Sequence, residues 1–225
     1  MSTSELFTIF PVFLLIDVSA SMSGGPIEAV NKALPDIQQE MRTNPMVGEI
    51  ARIALVTFSD DSQVALPMCD LAVAELPELL VEGGTNFAAG FRGVRQAIES
   101  GIGSLPKGTP MFRPVVFFMT DGAHQAREDW TDALNHLRDK SWKFNPEIVA
   151  FGLAEAHKEE LQKIATRFVF MAKDRDPVDQ VREILSALMN SIRTTSTSLA
   201  DPSKQEGLYL DVPSEHFTAL PAMTA

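Results

Sequence analysis

Cysteine is nearly absent. Cys69 is the only one among 225 residues, which excludes an internal disulfide and any thiolate zinc cluster and suits a reducing compartment. Long apolar runs are also lacking: the longest, Ile9 to Ile16, contains Pro11 and is closed by Asp17. It falls far short of the ~20 residues that a membrane span needs. The first residues, Met-Ser-Thr-Ser-Glu, lack the basic start of a signal peptide, and no Asn-x-Ser/Thr sequon occurs, so a cytoplasmic protein is expected. Positive charge is scarce as well. Lysine and arginine number 19 against 30 aspartates and glutamates, a net charge of −11. Such a surface repels phosphate backbones and anionic lipid, which argues against nucleic acid and membrane as partners, and it suits a protein that gathers cations. The four histidines, His124, His136, His157 and His216, show no metal-ligand spacing and read as solvated surface residues.

What is present is an ordinary globular composition, 45% hydrophobic and 22% charged, enough for one sizeable core. Short apolar runs alternate with amphipathic stretches. Phe10–Ile16, Arg52–Phe58 and Pro114–Met119 read as strands buried on both faces, and Ile148–Phe151 and Phe168–Met171 as shorter ones. Gln63–Leu66 follows an Asp60-Asp61-Ser62 turn and reads as an antiparallel edge strand. Helical spacing covers Ile27–Met41, opened by Pro26 and expected to kink or end at Pro35. It recurs over Asn86–Ile98, where Gly90 and Gly93 suggest close packing on the sheet, and over Trp130–Trp142, Lys158–Thr166 and Val178–Ile192. This alternation predicts an α/β fold: a doubly wound, mostly parallel sheet with one antiparallel edge strand and helices on both faces. Residues 1–192 form the expected domain and 193–225 a polar linker and tail. Within that tail, Thr194–Ser198 reads as linker or as a phosphorylation site, and Leu208–Val212 as a strand able to join a sheet edge.

Ligands of doubly wound sheets sit beyond the carboxyl ends of the strands, where strand order reverses. Asp17, Ser19 and Ser21 follow the first strand at i, i+2 and i+4, and an extended segment would point all three the same way. Thr120-Asp121-Gly122 follows a later strand, and Gly83-Gly84-Thr85 precedes a helix between them. Two carboxylates and three hydroxyls form a hard, all-oxygen set suited to magnesium or manganese rather than zinc. Bland readings stand beside this one. The first loop can be a turn with a helix cap, Thr120-Asp121-Gly122 a strand-ending turn, and Thr85 the cap of the following helix.

Asp-x-Ser-x-Ser, a threonine in a second loop and Thr-Asp-Gly after a later strand together resemble the von Willebrand factor A domain, over about residues 8–192. The resemblance implies a Rossmann-like fold and a metal-ion-dependent adhesion site on Asp17, Ser19, Ser21, Thr85 and Asp121. Ser19, Ser21 and Thr85 would touch the ion, and Asp17 and Asp121 would act mainly through water. A protein partner's glutamate or aspartate would complete the shell. Mg2+ is the expected ion, with Mn2+ or Ca2+ as alternatives. The wording of residues 16–24 and 26–31 looks most like the bacterial TerY-like branch, which implies a tellurium-resistance or stress pathway and a kinase or phosphatase of that pathway as partner. A non-catalytic binding module is therefore expected. The alternative is a magnesium-dependent phosphatase of the haloacid dehalogenase type. Against that, Ser19 stands where a second aspartate would act as acid and base, and no lysine lies near Thr120-Asp121.

Overall fold

The computed structural model describes residues 8–153, 156–172, 176–199 and 217–222. At its centre is strand β1, Phe10–Asp17, in which every residue is buried. Its side chains alternate between two cores. Val12, Leu14 and Ile16 face one, and Phe13 and Leu15 face the other. Strands β2 (Ala51–Phe58), β3 (Ser62–Cys69), β4 (Val115–Thr120), β5 (Glu147–Gly152), β6 (Phe168–Ala172) and β7 (Phe217–Pro221) complete one seven-stranded sheet in the order β3-β2-β1-β4-β5-β6-β7. Strands β1, β2, β4, β5 and β6 run parallel, while β3 and β7 are antiparallel edges. Pro11 is tolerated in this central position for a local reason. It falls between the Ile9–Met111 bridge and the Val12–Val115 start of the β1–β4 ladder, so its missing N–H is not needed.

Helices α1 (Gly25–Thr43) and α6 (Pro177–Leu199) bury Val30, Leu34, Val181 and Leu188 against one face of the sheet. On the other face, α3 (Phe87–Gly103), α4 (Thr131–Leu137) and α5 (Lys158–Ile164) bury Phe91, Leu134 and Leu161. Among the described residues, no helix is long and apolar enough to cross a membrane.

The fold class expected from the periodicity is the one observed, with differences in detail. Pro35 neither ends nor splits α1. It lies on the exposed face, where the carbonyl it leaves unpaired can be hydrated, while Ala33, Leu34, Ile37 and Met41 hold the helix from below. A short helix α2, Pro45–Ile50, had no periodicity to announce it. Helix α4 stops at Leu137, because Asp139 and Trp142 turn the chain by accepting bonds from Ser141 and Asn145. Helix α6 continues past Ile192 to Leu199, so Thr194–Ser198 are helical rather than linker. Residues 208–212 lie outside the described residues; the second antiparallel edge is Phe217–Pro221.

Gly90 and Gly93 do mark close approach. A Cβ at Gly90 would sit 3.0 Å from the Phe58 ring, and one at Gly93 would sit 2.6 Å from Ser62 Cβ. At Gly103, near the end of the same helix, a Cβ would meet nothing within 4 Å. Gly93→Ala is therefore expected to destabilise the fold by about 1–3 kcal/mol despite alanine's better helix propensity. Gly103→Ala is expected to be neutral or to stabilise by up to about 1 kcal/mol. Urea unfolding of both variants checks this, and equal effects would contradict the packing account.

Candidate metal centre

Strand order reverses between β1 and β4, which opens a crevice beyond their carboxyl ends. Asp17 ends β1 and Asp121 follows β4, so both carboxylates stand at that crevice, 0% and 6% exposed. The loop carrying Thr85 enters the same place and is stitched there by backbone bonds. Glu82 N–H donates to Val18 O, Ala20 N–H to Gly83 O, Asn86 N–H to Ser59 O and Gln125 N–H to Thr85 O. All five residues expected from the sequence are thus gathered on three adjoining loops.

Their convergence is not that of an extended strand. The strand stops at Asp17, and Ala20–Met22 form a 3-10 turn. Asp17 Oδ1 accepts from Ser19 N–H at 2.8 Å, closing the bend. Within the turn the Ser19 and Ser21 hydroxyls are 3.1 Å apart, and Ser21 Oγ donates to Asp121 Oδ1 at 2.6 Å. The turn reading of this loop therefore holds for the backbone. The helix-cap reading does not, since Ser19 makes no side-chain cap bond.

Thr85 separates the metal reading from the bland one more sharply. Helix α3 is capped by Asn86, whose side chain accepts from Ala89 N–H. Thr85 is left 2% exposed, and its hydroxyl has no hydrogen-bond partner. An unpaired buried hydroxyl costs about 1–3 kcal/mol, and it is the single buried side-chain polar atom among the described residues in that state. A cation between the three loops would satisfy it.

The carboxylates point the same way. Burial pushes Asp17 up to about 6, partly offset by hydrogen bonds from Ser19 and Thr120, and the nearby Asp121 charge raises it further. Burial likewise raises Asp121, against the Ser21 hydrogen bond. Among the described residues, no lysine, arginine or histidine forms an ion pair with either acid. Among the described residues, no group of three or more histidine, cysteine, aspartate or glutamate side chains gathers to hold an ion, so an ion here would rest on two acids and three hydroxyls. Two desolvated carboxylates and three hydroxyls fit a hard divalent cation.

Two residues at the site went unassigned on the sequence. Thr120 is fully buried and donates to Asp17 Oδ2 at 2.5 Å while accepting from Gly122 N–H at 3.2 Å, so it orients the Asp17 carboxylate from the end of β4. Asp60 holds the glycine pair: Gly84 N–H donates to its Oδ1 at 3.1 Å, and Gly83 takes φ +65° against it. A threonine beside Asp121 and an acid after the second strand were the available signals. His124 is not a solvated histidine. Its Nδ1 accepts from Phe87 N–H at 3.1 Å, so Nε2 carries the proton and donates to Glu128 O at 2.7 Å. The ring ties the Asp121 loop to the start of α3.

The model of the von Willebrand factor type A domain family matches residues 12–187. A search of curated proteins returned no match. Among solved structures, mussel proximal thread matrix protein 1, with a zinc-occupied MIDAS motif, superposes with a TM-score of 0.56 at 19% identity over 84% of this chain and 49% of its own. A von Willebrand factor type A protein from Catenulispora acidiphila gives 0.61 at 16% identity over 82% and 43%. The pilus adhesin SpaC from Lactobacillus rhamnosus GG gives 0.62 at 12% identity over 84% and 30% in its open conformation. The chain spans less than half the length of each of these proteins. With the family model covering most of the chain and the fold shared, the protein belongs to the von Willebrand factor type A domain family.

Proposed function

We propose that this chain is a non-catalytic, metal-dependent protein-binding module, and that the buried, unpartnered Thr85 hydroxyl is the observation that carries this reading. Ser19, Ser21 and Thr85 offer hydroxyl lone pairs to a divalent ion, and Asp17 and Asp121 neutralise its charge. When bound, the ion supplies a Lewis-acid position for an outside carboxylate. Thr120 and Asp60 hold the first carboxylate and the Thr85 loop in place. A protein partner donates the glutamate or aspartate. Magnesium suits the oxygen set; the zinc-occupied motif of the mussel protein makes zinc the comparison ion. The TerY-like pathway, with its kinase or phosphatase partner, rests on the wording of residues 16–24 and 26–31 alone. The cytoplasmic placement rests on composition.

Thr85→Val removes the orphaned hydroxyl while keeping the side chain's shape. In chelator it is expected to raise stability by about 1–3 kcal/mol, and with excess Mg2+ to lose most of the melting-temperature gain that the parent shows. Calorimetry in the two conditions reads both effects. A variant that is less stable in chelator yet fully metal-responsive would contradict the assignment.

The pH dependence has a definite sign. The folded-state value of Asp17, about 6, lies above the ordinary value near 4, so the native state binds the proton more tightly than the unfolded chain. Metal-free protein should therefore lose stability as pH rises from about 4 through 6, by about 3 kcal/mol in full. Asp17→Asn should flatten that slope, and added Mg2+ should stabilise most above pH about 6, where the carboxylate is ionised. Urea titrations across this range check it, and an unchanged slope in the variant would remove Asp17 as its source.

Two assays bound the function itself. A generic phosphomonoester should show no Mg2+-dependent turnover, and turnover abolished by Asp17→Asn would establish the enzyme alternative instead. A pull-down with Mg2+ should return a specific partner that is lost with chelator or Asp17→Ala, and a kinase or phosphatase among the proteins so released would support the TerY-like pathway.

A further inference from the structure

The charge around the crevice restricts what can dock there. The loops bordering it carry Asp60, Asp61, Glu82, Glu128 and Asp129 as exposed acids, and Glu160 leans in from α5 to accept from His124 N–H at 3.3 Å. Only Glu128 is neutralised, by the two-pronged Arg92 pair at 2.6 and 2.9 Å. The contacts of Asp60, Asp129 and Glu160 are to backbone N–H groups and, for Asp129, the Thr131 hydroxyl, neutral donors that leave their negative charge in place. Among the described residues of this border, Arg127 and Lys158 are the cations outside an ion pair, so the border stays net negative. An ion held by Asp17 and Asp121 is already balanced by their two charges. It cannot also offset the border. A bare carboxylate, or one set among other acids, therefore approaches against a repulsive field.

We infer that the partner presents its metal-seeking glutamate or aspartate from a basic surface, with lysine or arginine side chains on either side that meet Asp60, Asp61, Glu82 and Asp129. This rests on the metal-docking reading and goes beyond it by giving the partner's charge pattern. The acidic border alone would not mark a site; the buried Thr85 hydroxyl at its centre points to a ligand there. An ion held by Asp17, Ser19, Ser21, Thr85 and Asp121 would favour a carboxylate, and the border selects that carboxylate's neighbours. Opposite charges at the rim act through encounter and specificity and weaken with salt, because the Debye length falls from about 10 Å at 0.1 M to about 3 Å at 1 M.

The test uses the full chain, isotope-labelled, and three short peptides followed by NMR shifts in Mg2+. The first carries glutamate between alanines, the second glutamate between lysines, and the third glutamine between lysines. At low salt the lysine-flanked glutamate should bind about five- to tenfold tighter than the alanine-flanked one, and high salt should erase most of that gain. The Asp61→Asn/Glu82→Gln variant should keep the parent's Mg2+-dependent melting shift and lose the same gain. Equal affinity of the two glutamate peptides would overturn the inference and leave metal docking standing. Binding of the glutamine peptide as tight as that of its glutamate counterpart would also overturn it. If neither glutamate peptide binds in a Mg2+-dependent way, metal docking itself fails and takes the inference with it.

Discussion

Two carboxylates held out of water, without a cationic side chain to pair them among the described residues, set the terms for the rest of this molecule. Asp17 ends a strand in which every residue is buried, and Asp121 follows the equally buried strand beside it. Desolvating charge is costly, and proteins usually relieve it with an ion pair or a proton. Here Thr120, Ser21 and the Ser19 backbone N–H relieve part of it. The remainder is stored where strand order reverses, the place at which a doubly wound sheet can admit a ligand. The neighbouring loops serve the same end. The Asp60 carboxylate braces the Gly83-Gly84 turn, and that turn delivers a threonine whose hydroxyl finds nothing to bind.

Rigidity and function divide cleanly between the layers. Aromatic packing of Phe58, Phe87, Phe91 and Phe118 fixes α3 on the sheet directly behind the Thr85 loop. His124 bonds to the first turn of that helix and so couples the Asp121 loop to the same support. The site residues themselves lie on loops, but each loop is pinned by main-chain hydrogen bonds to its neighbour. A cation site needs such preorganisation, since ligand oxygens that wander would surrender the gain on binding to entropy. The charge of the whole chain, −11, then acts at longer range, favouring cations and disfavouring anionic partners.

Much of the fold was legible in the chain. Continuous apolar runs located the parallel strands because strands covered on both faces need apolar residues at every position. Elements held by local turns or by distant pairing were not legible. Helix α2 is too short to show a period, and β7 owes its place to β6 rather than to its own pattern. Pro35 shows the limit of local rules: a residue that breaks isolated helices is carried by the buried face of α1.

The sequence by itself determined which oxygen donors stand after the strands and in what order, because Asp17, Ser19, Ser21, Thr85 and Asp121 bring carboxylate and hydroxyl groups with neither sulfur nor imidazole. It also determined the sign of the surrounding field, which follows from composition. Only the tertiary structure decided that the five groups meet, and how. A 3-10 turn, not an extended strand, brings Ser19 beside Ser21. Asn86, not Thr85, caps the helix, and this leaves the threonine hydroxyl buried and unpartnered. Both outcomes depend on which neighbour reaches a backbone N–H first. That competition is settled by three-dimensional packing, and no spacing in the chain records it.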